Sequence, residues 1–242
     1  MDTSFWIQCN PNISIEHTTK KYFGKYLYKI VVYAPAGRLI DAKGSMTEAL
    51  ERRKEIAKHI NYGGYWGSHR NKDINQADIS FLEKLRNIRH DKASGIKMRV
   101  EEPKIQIYSN DAKQLEQLVD ANFADNEKQY LESFAGPESD RSEQLLNSGA
   151  ILRKTNIGYR YKVILKDGRY SPDVKNQLLN YFTNLGEDQI KLPKTGRDML
   201  SKSTGFIWNL YFYTNDLNVV TFVSLISPGI VSNSHELVIA ST

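Results

Sequence analysis

Tyr26-Leu27-Tyr28-Lys29-Ile30 and Tyr159-Arg160-Tyr161-Lys162-Val163 are two copies of one phrase, Tyr-x-Tyr-Lys-aliphatic, and Gly-Arg follows each within a few residues, at Gly37-Arg38 and Gly168-Arg169. A second matched pair lies downstream, Ile107-Tyr108-Ser109-Asn110-Asp111 and Phe212-Tyr213-Thr214-Asn215-Asp216. Two phrases recurring in the same order mark an internal duplication, which constrains the architecture before any single residue is weighed. The 242 residues therefore read as two similar halves.

Working outward from the first phrase, Lys25 to Ala34 alternates and is rich in Tyr, Val and Ile, which predicts a strand ended by Pro35-Ala36-Gly37. Met46 to Ile60 repeats Ala49, Leu50, Ile56, Ala57 and Ile60 at helical spacing, with Ser45 and Glu48 in capping-box positions. In the second half Tyr159 to Leu165 is the matching strand, and Ser171-Pro172-Asp173 opens a helix that Gly186 stops. Lys97 to Tyr108 carries Pro103 and predicts an edge strand or two short strands meeting there; Phe206 to Thr214 is its counterpart. Asp111 and Asp216 stand at cap positions before Leu115, Leu118 and Val119 and before Val219 to Ile226.

Short strands at Gln189 to Leu192 and Glu236 to Ala240 complete the second half, which spells β-α-β-(short helix)-β-α-β. The expected fold class is α+β: two tandem ferredoxin-like (split βαβ) halves with mostly antiparallel sheets. The first half, 1–123, carries a helical insertion over 61–96, with a helix from Asp78 to Arg89, and lacks an obvious fourth strand. Ala150-Ile151-Leu152 is the candidate to supply it. The second half covers 150–242.

The net charge of +5 divides unevenly: 1–123 holds 20 basic against 15 acidic side chains, 124–149 holds 2 against 6, and 150–242 holds 11 against 7. Two basic lobes joined by an acidic linker over 124–149 are expected, and basic lobes suit a polyanionic partner. The one cysteine, Cys9, cannot close an internal disulfide or build a thiolate metal site alone. No apolar run of about 18 or more residues is present, so no membrane span is expected. Met1 to Trp6 lacks the features of a secretory signal, which points to a cytoplasmic protein. His17, His59, His69, His90 and His235 show no metal-ligand spacing, and no glycine-rich phosphate loop occurs; no metal, cofactor or nucleotide hydrolysis is expected.

Three groups of residues are candidates for recognition. In Asn61 to Arg70, Tyr62, Tyr65 and Trp66 can stack on bases while His69 and Arg70 meet phosphate; the competing role is a helix stop followed by aromatics that plug the core. Arg86, Arg89, Lys97 and Arg99 in the first half, and Arg153, Lys154, Arg160, Lys162 and Arg169 in the second, can follow a phosphate backbone. Tyr26/Tyr28 and Tyr159/Tyr161 either face bases, as in RNA-recognition modules whose Lys/Arg-Gly-Phe/Tyr-Gly/Ala-Phe pattern this chain lacks, or pack beneath helices and leave Lys29 and Lys162 outside.

The expected function is non-enzymatic binding of single-stranded RNA or DNA. One alternative is a structural or assembly component of a viral or multi-subunit complex, docking on protein partners or on itself through the apolar stretch Leu217 to Ile239. Tandem lobes of this size and charge also resemble the CRISPR repeat-processing endoribonucleases, which implies metal-independent cleavage by His69 or His17 with a nearby Lys or Tyr. The chain departs from that family at Ser227 to Ser234, where the glycine-rich loop is missing.

Overall fold

The computed structural model describes residues 2–59, 76–91, 95–101, 103–202 and 205–240. Two compact units divide the chain, Met1–Glu143 and Gln144–Thr242.

The first unit runs α1 (Ser4–Cys9), β1 (Ser14–His17), β2 (Tyr28–Tyr33), a 3-10 turn (Gly37–Asp41), α2 (Met46–His59), α3 (Gln76–His90), β3 (Lys97–Glu101), β4 (Lys104–Ser109), α4 (Ala112–Asn122), α5 (Asp125–Lys128), β5 (Leu131–Gly136) and α6 (Asp140–Asn147), which crosses into the second unit. Its sheet has the order β1-β5-β2-β4-β3, parallel at β1–β5 and antiparallel elsewhere. Side chains alternate across a strand, so Ile30 and Val32, Ile105 and Ile107, and Phe134 share one face. That face builds the core with Leu82 and Leu85 of α3 and Leu115 and Val119 of α4. Trp6 is fully buried in the same core and stacks on Phe134 at 4.4 Å, which pins α1 to the sheet.

The second unit continues with β6 (Ile151–Arg153), β7 (Tyr161–Leu165), β8 (Gly168–Arg169), α7 (Pro172–Leu185), β9 (Ile190–Lys191), α8 (Lys194–Ser201), β10 (Phe206–Ile207), β11 (Tyr211–Thr214), α9 (Asn218–Ile226) and β12 (Val231–Ile239). Its sheet has the order β6-β12-β7-β11-β9, again parallel at the first pair and antiparallel elsewhere, while β8 and β10 form a separate ribbon. Val163, Leu165, Leu178, Phe182, Phe212 and Val223 fill its core. The fold is thus α+β with two mixed five-stranded sheets, each with the same sequence of strand roles from edge to edge. Among the described residues no helix is long and apolar enough to cross a membrane.

The segment expected as an acidic linker, 124–149, holds α5, β5 and all of α6, and β5 joins the first sheet as the strand not evident in 1–123. Leu131, Phe134 and Ala135 of β5 are fully buried. The acids that coloured this stretch sit mainly on the flanking turns and helices, so averaging charge over 26 residues hid a strand with one carboxylate, Glu132. Ile151–Arg153 pairs with β12 of its own unit instead. The change of boundary also changes the electrostatics. With the 2 basic and 6 acidic residues of 124–149 included, the first unit holds 22 basic against 21 acidic side chains, and the second keeps 11 against 7. The positive charge belongs to the second unit.

The second repeated phrase is a strand-to-helix turn built twice. Ser109 and Thr214 are fully buried, and their hydroxyls accept the amides of Asp111 at 3.0 Å and Asp216 at 3.1 Å. Asp111 then caps the next helix by accepting the amide of Lys113 at 2.9 Å, while Asp216, one residue ahead of the N-cap Leu217, accepts the amide of Asn218, the first residue of its helix, at 2.8 Å.

Candidate nucleic-acid interface

Strand register brings the two repeated phrases face to face. Lys29 of the first phrase lies opposite Tyr108 of the second, with Lys97 on the far side of that tyrosine. In the second unit Lys162 lies opposite Tyr213, with Lys191 beyond it. A Lys-Tyr-Lys row therefore crosses three strands of each sheet, on the face turned away from the core.

The two rows differ in surroundings. In the first unit Tyr22, Phe23 and Tyr26 crowd Tyr108 at centroid distances of 5.3, 5.1 and 6.2 Å, leaving the residue 3% exposed. Burial pushes the Tyr108 phenol up to about 12. Phe23, half exposed and at φ 53, caps this cluster in a backbone region that bulky residues rarely occupy. Lys97 Nζ lies 3.7 Å from the Phe23 ring centre and Lys29 Nζ 5.3 Å from that of Tyr22. Carboxylates hold the cations of this face: Glu16 pairs with Lys29 at 3.3 Å, Glu132 with Lys104 at 2.6 Å, and Glu101 with Arg99. A polar concavity of about 530 Å³ lies over Lys29, Lys104, Glu16 and Glu132, so a polyanion there meets carboxylates as well as ammonium groups.

In the second unit the tyrosines are only partly covered. Tyr159 stacks near Tyr213 at 6.2 Å and Tyr211 meets it edge-on at 5.4 Å. Lys162 Nζ sits 3.8 Å over the Tyr211 ring, and Lys191 is exposed at the sheet edge. Burial raises the Tyr213 phenol above its ordinary value and the neighbouring Tyr211 adds to this, while a hydrogen bond with Arg153 pulls the other way. His235 lies across from Lys162 on the other flank, its Nδ1 2.8 Å from the Gly149 carbonyl oxygen. This face combines accessible ring surface with cations held at the rings.

No protein-family model, curated protein or solved structure matches the chain.

Lys162 and Arg153 are the sequence-predicted residues that the fold brings onto this second face. Arg86 and Arg89 belong to α3, on the helical side, where Arg86 donates to the Gly44 carbonyl at 2.8 Å and Arg89 pairs with Asp41 at 2.6 Å. Lys97 and Arg99 lie on the opposite face of the sheet, so the basic run of the first half is split in two. Arg160 pairs with Glu236 at 3.0 Å and lies over the Tyr161 ring; Lys154 is exposed after β6 and Arg169 is exposed on β8. Tyr62, Tyr65, Trp66, His69 and Arg70 lie outside the described residues.

The tyrosines that revealed the repeat have mainly structural roles. Tyr26 is buried. Tyr28 packs on the core side beside Phe134, and its hydroxyl donates to Glu143 at 3.1 Å; burial first, then this carboxylate, push its phenol up to about 12. Tyr161 shares the side of Val163 by alternation, and the Tyr159 hydroxyl donates to the Glu187 carbonyl. Sequence reasoning passed over Tyr211, Tyr213 and Lys191. The signal for Tyr213 was present in the second phrase, but its partners become visible only in the register.

Proposed function

We propose that the protein binds single-stranded nucleic acid, that its units are two related ferredoxin-like lobes, and that the second lobe carries the principal contact face. The observation that carries this is the Lys191-Tyr213-Lys162 row flanked by Tyr211, Tyr159 and Arg153. Rings on a flat sheet match unpaired bases, whose faces a duplex would hide, and ammonium and guanidinium groups beside them match the phosphates. The strand orders β5-β2-β4-β3 and β12-β7-β11-β9, antiparallel throughout, support the split βαβ assignment, with one further parallel strand at an edge of each. Fluorescence anisotropy of labelled single strands against the full chain tests it: affinity should fall as salt rises and exceed that for the same duplex. Absence of salt-dependent binding at micromolar protein refutes it.

A second function, as an assembly component, draws support from α9, where Leu217, Phe222 and Leu225 at and beyond its start are exposed. Light scattering that finds a strict monomer at all concentrations speaks against it. For the endoribonuclease alternative, His17 lines a concavity of about 500 Å³ with Lys20, Lys21 and Tyr22. Unchanged cleavage by His17→Ala removes that constellation.

A further inference from the structure

We infer that Phe206 and Trp208, at the β8–β10 ribbon of the second unit, form a base-stacking platform that extends the Tyr211–Tyr213 face, so that a single strand runs along β10 and β11. This rests on the nucleic-acid function proposed above and adds where, and in which direction, the strand lies. Trp208 is 58% exposed and Phe206 38%, and their ring centres lie 4.2 Å apart. Two large rings left in water beside each other carry a hydrophobic cost that a ligand face would relieve.

Their direction follows from the core. Ile207, Leu210 and Phe212 are all buried in one cluster, so the flanking Phe206, Trp208, Tyr211 and Tyr213 turn away from it. Strict alternation would set Trp208 and Tyr211, three residues apart, on opposite sides. Asn209 resets the parity: it sits at φ 47, and its amide donates to Asp167 at 2.7 Å. Three residues span at most about 10 Å even when fully extended, so the two pairs of rings are near neighbours along the chain.

The platform is held in place from beneath. Lys175 is buried, and its ammonium donates to the carbonyls of Gly205 at 3.0 Å and Lys202 at 3.3 Å, anchoring the chain just ahead of Phe206. A stacking surface fixed before binding loses little entropy when a base arrives. Charge selects the occupant. Arg169 is the cross-strand partner of Phe206, Lys166 is exposed at the start of the same ribbon, and the whole unit holds 11 basic against 7 acidic side chains. An unpaired base on Trp208 with its phosphates at Arg169 and Lys166 uses both features.

The test uses the full chain in a Trp66→Phe background, where Trp6 is buried in the core and Trp208 reports from the surface. Titration with an oligothymidylate single strand should quench Trp208 emission, and the annealed duplex should not. Trp208→Ala should weaken single-strand affinity by about 5- to 150-fold, Trp208→Phe should retain most of it, and Arg169→Ala should weaken it and flatten its salt dependence. If the parent chain binds no single strand, the nucleic-acid function itself fails. If the parent binds with salt dependence while Trp208→Ala keeps full affinity, the platform is overturned and the second-lobe face stands. Loss of self-association in Trp208→Ala with unchanged strand binding also overturns it, by assigning these rings to a protein contact.

Discussion

Replacing Lys162 and Lys191 together by alanine separates the two faces. Both ammonium groups flank Tyr213 in register, and each that contacts a phosphate releases one condensed counterion on binding. For a single strand each such contact contributes about 0.7 to the slope of log affinity against log salt, so the double variant should lose about 1.4. Between about 50 and 200 mM salt that makes its affinity fall about 7-fold less than the parent's. Lys29→Ala with Lys104→Ala is the matched change on the first sheet, where Glu16 and Glu132 already hold the cations at 3.3 and 2.6 Å. Its slope should stay near the parent's. Anisotropy across a salt series measures both, and Lys162→Arg with Lys191→Arg should restore the parent slope. Equal losses from the two pairs, or none from Lys162 and Lys191, refute the assignment of the contact to the second unit.

Three further outcomes test the packing and electrostatics. Trp6→Ala removes a fully buried ring stacked on Phe134 and should cost about 3–5 kcal/mol in urea melts; an unchanged midpoint would show that α1 is not part of the core. Gly196→Ala in α8 would bring a Cβ to 2.5 Å from Leu210 Cδ1 and 3.1 Å from Leu192 Cδ1, so about 1–3 kcal/mol of overpacking should appear as a lowered melting temperature. Tyr28 and Tyr108 hold their phenol protons to about 12 against an ordinary 10.0. The native state therefore binds more protons than the unfolded chain in that interval. The stabilisation is complete below pH 10.0 and lost as pH rises toward about 12. Urea melts across this window should show a steeper alkaline loss for the parent than for Tyr28→Phe with Tyr108→Phe; parallel curves would refute it.

Local signals were legible wherever a short-range rule acts alone. Ser45 caps α2 through the Glu48 amide at 3.4 Å, and Ser171 with Pro172 starts α7 through the Val174 amide at 3.3 Å, as their positions predicted. Lys97 to Tyr108 does split at Pro103 into two strands, since proline cannot donate to a ladder. β5 escaped notice because its burial comes from β2 and β1, far away in sequence, while its immediate neighbours are acidic. The N-terminal helix α1 and strand β1 escaped for the same reason: six and four residues carry too little periodicity to stand out without the sheet and core they join.

By itself the sequence determined that two phrases recur in matched order, because such a match needs no partner to be read. It also determined the turn chemistry of Ser109-Asn110-Asp111 and Thr214-Asn215-Asp216, which is local. Only the tertiary structure decided which residues of those phrases face outward. Pairing register spans strands some 50 to 80 residues apart, and it turned Tyr28 into the core while setting Lys29 beside Tyr108 and Lys162 beside Tyr213. It also decided where the charge lies, since the fold, drawing β5 into the first sheet, leaves one nearly neutral unit and one basic one.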